Sequence, residues 1–217
     1  MIFRQYTIFV LIVVAMLSAC ATSTSTARFY TLANNISAKN QVENIPPAAP
    51  IAIEVLPIKV PERLKRPQLV ITSKNSSQLK ILEHDRWASS FNDELQDAFV
   101  SGISSQLNAV DISRGGRVTN QPTYRVAIVL QQFNATPGEQ VQANFGWTIT
   151  RLNTDVRSAG NNMLSCQATF SKPVGSDIDA VVKGVQETVA DTIQAIAADV
   201  RSINSSINNN EAGKCNS

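Results

Sequence analysis

From position 178 to position 203 a branched aliphatic residue recurs at every third or fourth place: Ile178, Val182, Val185, Val189, Ile193, Ile196, Val200 and Ile203. The mean spacing is about 3.6 residues, so these side chains form one stripe along a helix of roughly seven turns. A stripe this long must be covered. Valine and isoleucine without flanking charge pairs argue against a coiled-coil partner helix and leave a sheet as the cover. Ser176 is the expected N-cap. The matching surface is present upstream. In residues 140–151, Val141, Ala143, Phe145, Trp147 and Ile149 face one way, and Gln142, Asn144, Gly146, Thr148 and Thr150 the other. Strict alternation of this kind describes a strand with one covered and one polar face. Residues 124–133 behave alike, joined through a turn at Thr136-Pro137-Gly138, and Leu164, Cys166, Ala168 and Phe170 mark a further strand.

A second helix is predicted over residues 89–107, where Phe91, Leu95, Phe99, Ile103 and Leu107 recur every four residues with Ala98 and Gly102 beside them. Ser90 is its expected N-cap, and Asp93 and Glu94 place negative charge in the first turn. Shorter strands are expected at residues 29–32 and at 51–56, where Pro57 stops the run. A hairpin is expected from residues 69–72 and 79–82 around Asn75-Ser76-Ser77. The stretch 33–50 carries three prolines and reads as a loop. The predicted class is α+β: an antiparallel β-sheet with two helices packed on one face, in a single domain. Charge adds an exclusion. Nineteen Lys and Arg against seventeen Asp and Glu give no electrostatic footprint for nucleic acid. An apolar content of 43% with low net charge excludes disorder along the whole length.

The N-terminus reads as a signal. Arg4 precedes an apolar run at residues 8–17, too short to span a bilayer as a helix. Leu17-Ser18-Ala19-Cys20 resembles the lipobox of bacterial lipoproteins, which implies acylation of Cys20 as the mature N-terminus. Ala21, where an aspartate would imply retention at the inner membrane, implies the outer membrane. Several acyl chains hold firmly, since each buried methylene contributes about 0.8 kcal/mol. The expected organisation is residues 1–19 as signal peptide, 20–28 as acylated N-terminus and linker, 29–205 as the folded domain, and 206–217 as a polar tail. The eight linker residues after Cys20 reach at most about 28 Å.

Catalytic chemistry is scarce. His84, the sole histidine, sits in Glu83-His84-Asp85-Arg86-Trp87 and reads as an exposed strand residue among solvated charges. Hydrolase elbows, zincin helices and P-loops are all missing from the sequence. Arg114-Gly115-Gly116-Arg117 reads as a turn, since no helix follows it to build an anion site. Scattered acids and one histidine do not make a metal centre. The expectation is a protein with no enzymatic activity, no cofactor and no metal. Cys166 and Cys215 either pair as a disulfide in an oxidising compartment, or remain a buried small hydrophobe and a free tail thiol.

Three segments in order carry a family resemblance: Phe29-Tyr30-Thr31-Leu32, Val55-Leu56-Pro57 leading to Arg66-Pro67-Gln68-Leu69-Val70, and Arg86-Trp87-Ala88-Ser89-Ser90-Phe91. Behind a lipobox they resemble the ABC-type transport auxiliary lipoprotein family, and within it the PqiC-type lipoproteins, from Phe29 to about Asn204. The chain departs from the family in having Ser90-Phe91 where Pro-Leu is usual, and Lys65 where an acid precedes the Arg-Pro. The resemblance implies a non-catalytic outer-membrane subunit of an MCE-type lipid transport system. Such a subunit docks a periplasmic conduit of MCE-domain protein and supports membrane integrity; assembly as a homo-oligomer is compatible with this. Arg66, Gln68, Arg86 and Trp87 are the candidate partner-binding residues, with Trp87 alternatively a core anchor at the helix start. The alternative function is a structural or assembly lipoprotein, pilotin-like, for another outer-membrane complex.

Overall fold

In chain order the elements are β1 (Arg28–Tyr30), β2 (Ala52–Val55), a short 3-10 turn (Glu62–Leu64), β3 (Gln68–Thr72), β4 (Leu79–Trp87), α1 (Phe91–Leu107), β5 (Val110–Asp111), β6 (Thr123–Thr136), β7 (Gln140–Leu152), β8 (Met163–Pro173) and α2 (Ile178–Asn209). The structure is a computed structural model that describes residues 26–32, 51–74, 76–116, 121–152, 162–209 and 215.

The strands form two sheets. One has five strands in the order β5-β2-β6-β7-β8, and the other has three in the order β1-β4-β3. Strands β6, β7 and β8 are an antiparallel meander, whereas β2 runs parallel to both of its neighbours and β1 runs parallel to β4. The α+β class and the two helices on one face are as expected. The division into two sheets and the parallel pairs are additional, because side-chain alternation reports which face is covered and is silent on which strand lies alongside.

Alternation becomes burial. Val141, Ala143, Phe145, Trp147 and Ile149 are all buried, and they meet Val126, Ile128 and Leu130 from β6 on the same face. Helix α2 lies over this face with Val182, Val185, Val189, Ile193, Ile196, Val200 and Ile203 in the core. Each large side chain buried in this way contributes about 1.5–3 kcal/mol. Helix α1 covers the neighbouring part, with Phe99 edge-on to Phe145 at a centroid distance of 5.5 Å. The small sheet closes the end of the core beside the first half of α2, where Trp87 stacks on Phe91 and Phe91 meets Phe133, each at 5.3 Å.

Local signals mostly behave as chemistry requires. Gly138 takes φ 74°, a conformation costly for other residues, in the β6–β7 turn that the Glu139 N–H closes onto the Thr136 carbonyl at 3.0 Å, and its own N–H ties the turn to the Gly175 carbonyl beyond β8 at 2.9 Å. The caps differ in detail from expectation. Ser90 holds the N-cap position of α1, yet its hydroxyl turns to the Asp93 carboxylate and caps no backbone N–H. At α2 the cap is Asp177, whose Oδ1 accepts the Ala180 N–H at 2.8 Å, and not Ser176.

Candidate contact face of the small sheet

Strand β4 is the centre of the small sheet, and register decides what it displays. Arg86 lies opposite Phe29 of β1 on one side and opposite Gln68 of β3 on the other. Paired residues point to the same side of a sheet, so these three share a face. Along β3 the same side continues through Val70 and Thr72, whose partners are Ile81 and Leu79. This face is turned away from the core. Phe29 is 65% exposed, Ile81 44% and Leu79 42%, while the intervening Leu69 and Ile71 are buried beneath. Arg86 is steadied by its own strand, donating Nε to the Glu83 carbonyl at 2.7 Å and facing the Glu83 carboxylate at 3.6 Å.

Of the four residues singled out as partner contacts, the fold thus sets Gln68 and Arg86 side by side. Arg66 sits at the entry to β3, where its carbonyl accepts the Phe91 N–H at 3.2 Å; its Nε is buried and without a hydrogen-bond partner. Trp87 points the other way. It is 4% exposed and packed in the core, because it follows Arg86 in a strand and successive residues alternate faces. It is the core anchor at the start of α1 and no part of the exposed face.

The opposite side of β1 is fastened by polar contacts. Arg28 Nε meets Asp85 at 2.7 Å, and the Tyr30 hydroxyl donates to Asp179 at the start of α2 at 2.6 Å. The hydrogen bond to Asp85 raises the Arg28 pKa further above its usual value. Burial, then the bond to Asp179, pushes the Tyr30 hydroxyl well above the ordinary tyrosine range. Beyond β1, Glu94 of α1 accepts the Leu32 N–H at 2.9 Å and the Thr31 hydroxyl at 2.8 Å, and Gln186 of α2 donates to the Thr31 carbonyl at 2.9 Å. A three-residue strand is therefore tied to β4, α1 and α2. The exposure of Phe29, Leu79 and Ile81 was missed in the sequence. The alternation Leu79-Lys80-Ile81 was visible there, but not the side on which it would open.

The other motifs lie apart from this face. His84 is exposed on β4. Arg114-Gly115-Gly116 forms a turn in which Arg114 pairs with Asp97 at 2.7 Å, and Arg117 lies outside the described residues. Cys166 and Cys215 are joined as a disulfide, with Cα atoms 5.8 Å apart. The buried Asp199 carboxylate lies within 4.8 Å of both sulfurs and accepts the Trp147 indole N–H at 2.9 Å. Bonded sulfurs offer no thiolate, so this cluster does not hold a metal in its oxidised form. Cys20, residues 1–19, the linker before residue 26 and residues 210–214, 216 and 217 lie outside the described residues, while residues 206–209, expected in the polar tail, continue α2.

Two cavities bear on ligand binding. Between the small sheet, β6 and α2 there is a void of about 10 Å³, lined by Leu69, Trp87, Phe91, Phe133 and Val185 among others. That is the space of a single water molecule. On the open face of the five-stranded sheet a shallow trough of about 420 Å³ lies over Gly146, between Val129, Gln131, Thr148 and Gln167, with no charged side chain in its lining. Among the described residues no helix is long and apolar enough to cross a membrane.

No curated protein matches the sequence. Two crystal structures share the fold. One is of an uncharacterized protein, 20% identical, with a TM-score of 0.60 over 81% of this chain and 99% of that one. The other is of a Xanthomonas campestris protein, 14% identical, with a TM-score of 0.56 over 75% of this chain and 92% of that one. The sequence model of a family described as the ABC-type transport auxiliary lipoprotein component matches residues 30–197, from β1 to the middle of α2. That span takes in β2 to β8, all of α1, the last residue of β1 and the first twenty residues of α2, so the chain belongs to the ABC-type transport auxiliary lipoprotein family.

Proposed function

We propose that the protein is a non-catalytic subunit of an MCE-type intermembrane lipid transport system, anchored in the outer membrane by acyl chains on Cys20 and facing the periplasm. There it docks the periplasmic conduit formed by an MCE-domain protein and so supports membrane integrity. The observation that carries this reading is the family match over residues 30–197 behind Leu17-Ser18-Ala19-Cys20. Packing is in keeping with the docking role: the void of about 10 Å³ between the small sheet, β6 and α2 has no room for an acyl chain.

The test is a detergent pull-down of the tagged full chain from envelope membranes, read by mass spectrometry. The expected result is recovery of an MCE-domain protein, lost when Cys20→Ala removes the anchor. Recovery of a secretin or a barrel-assembly component without any MCE protein would overturn the proposal and favour an assembly lipoprotein.

A further inference from the structure

We infer that the outer face of the small sheet, with Phe29, Ile81 and Leu79 exposed on the same side as Arg86, rests against the anionic phospholipid surface to which the chain is anchored. This rests on the reading of Cys20 as the acylated residue.

Three observations converge on lipid. The first is direction. Strand β1 runs parallel to β4 with Arg28 opposite Asp85, so the chain that precedes Arg28 leads toward the Leu79 end of β4. The anchor is close. Arg28 is eight residues after Cys20, so the linker spans at most about 28 Å, and Leu79 lies only roughly 13 Å along the sheet from Arg86, because four steps of β3 from Gln68 to Thr72 flank the bulged stretch of β4 between them. The Leu79 end of the hairpin is therefore within reach of a bilayer in which acyl chains on Cys20 are inserted.

The second observation is apolar exposure on one side only. Phe29, Ile81 and Leu79 account for three of the six large hydrophobic side chains most exposed among the described residues, and register puts all three on the same face. Several large apolar side chains exposed on one face are unusual on a solvated surface and mark a contact. The three side chains lie on β1 and β4 of a small three-stranded sheet, whose apolar face can rest in a headgroup layer without crossing it.

Charge is the third. Residues 62–86 hold six Lys and Arg against three Asp and Glu, a net +3, whereas the rest of the chain holds 13 against 14. The positive excess of the protein thus sits in the hairpin and its approach. Lys65 and Lys74 are exposed and lean only on exposed Glu62 and on Glu139. A segment of net positive charge that carries an exposed apolar face, with Arg86 on that face, fits phosphate headgroups, to which its bases contribute attraction that falls off within a Debye length. Gln68 and Arg86, on this same face, then contact headgroups and not a protein.

The experiment uses the acylated full chain in vesicles of phosphatidylethanolamine and phosphatidylglycerol whose acyl chains carry bromine, a short-range quencher of indole fluorescence. A probe is placed by Ile81→Trp, with Leu79→Trp as a second, and a control by Val129→Trp on the open face of the five-stranded sheet. Trp87 and Trp147 are buried and give a constant background from the unsubstituted protein. Far-ultraviolet circular dichroism checks that each variant is folded. Quenching at positions 81 and 79 on the order of threefold above that at 129 is expected, and replacing phosphatidylglycerol by a neutral lipid should reduce it. Equal quenching at all three positions in protein whose intact mass shows an acylated Cys20 overturns the lipid contact alone. A photo-crosslinker at position 81 that captures a protein in envelope membranes, with equal quenching in vesicles, assigns the face to a protein partner and also overturns it. An intact mass without acyl chains on Cys20 overturns the anchor reading and this inference with it.

Discussion

The carboxylate of Glu94 joins parts of the chain 62 residues apart. Its Oε2 accepts from Leu32 N and Thr31 Oγ1, and its Oε1 from Ser89 N at 3.1 Å and Ser89 Oγ at 3.0 Å, with the residue only 6% exposed. Removing a buried acceptor leaves its donors with neither partner nor water, which costs about 1–3 kcal/mol for each group that cannot relax. Glu94→Ala should therefore lower stability by about 3 kcal/mol, and Glu94→Gln, which keeps one oxygen, by clearly less. Urea midpoints measure both, and equal midpoints for the two variants would refute the acceptor role. Tyrosines add a pH dependence. Tyr30 and Tyr124 both have raised pKa values in the folded state, Tyr30 by burial and its bond to Asp179, and Tyr124 by burial. A folded state that keeps its proton longer is fully stabilised below the unfolded tyrosine pKa of about 10 and loses that stability as pH rises through the higher folded values. Unfolding midpoints should fall between about pH 9 and pH 12, and Tyr30→Phe with Tyr124→Phe should flatten the fall. An unchanged slope would exclude these two groups as its cause. At this scale the sequence placed Glu94 in the first turn of a helix. It had no means to pair it with Thr31 and Leu32, since a hydrogen bond across 62 residues leaves no local pattern.

Between elements, close approach decides more than propensity does. Gly184 lies within α2 where the helix meets β7. A Cβ there would collide with Val174 Cγ1 and come within 3.2 Å of Val141 Cγ2. Helix propensity alone favours Gly184→Ala by about 1 kcal/mol. Overpacking costs about 1–3 kcal/mol and opposes it. Because Val174 and Val141 are stiff, branched and set against the sheet, the collision should win, and the variant should melt earlier than the parent. A higher Tm would show that the helix shifts freely on the sheet. The length and covered face of α2 and the alternation of β7 were legible because both follow from repeats within one segment. The glycine that lets them approach looked, in the sequence, like any weak point in a helix.

Across the whole molecule, the Cys166–Cys215 bond closes a loop with a sequence separation of 49. On the chain-entropy account a bridge of that span contributes roughly 4 kcal/mol by restricting the unfolded chain. Cys215→Ser should lower stability by up to that amount under oxidising conditions, and reductant should bring the parent to the same value. If reductant leaves the parent's midpoint unchanged, the bridge has no part in its stability. Both cysteines were visible as candidates, but pairing depends on where the tail returns to β8.

What the sequence determined by itself is the two helices, the long strands and the covered faces of α2 and β7, together with the family, since periods of two and 3.6 are properties of contiguous residues. Only the tertiary structure decided that eight strands divide between two sheets, that β1 runs parallel to β4, and that Arg86 faces outward beside Phe29 while Trp87 anchors the core. Those choices are made by residues distant in the chain, whose mutual packing and hydrogen bonding select one register from several that the same local patterns allow.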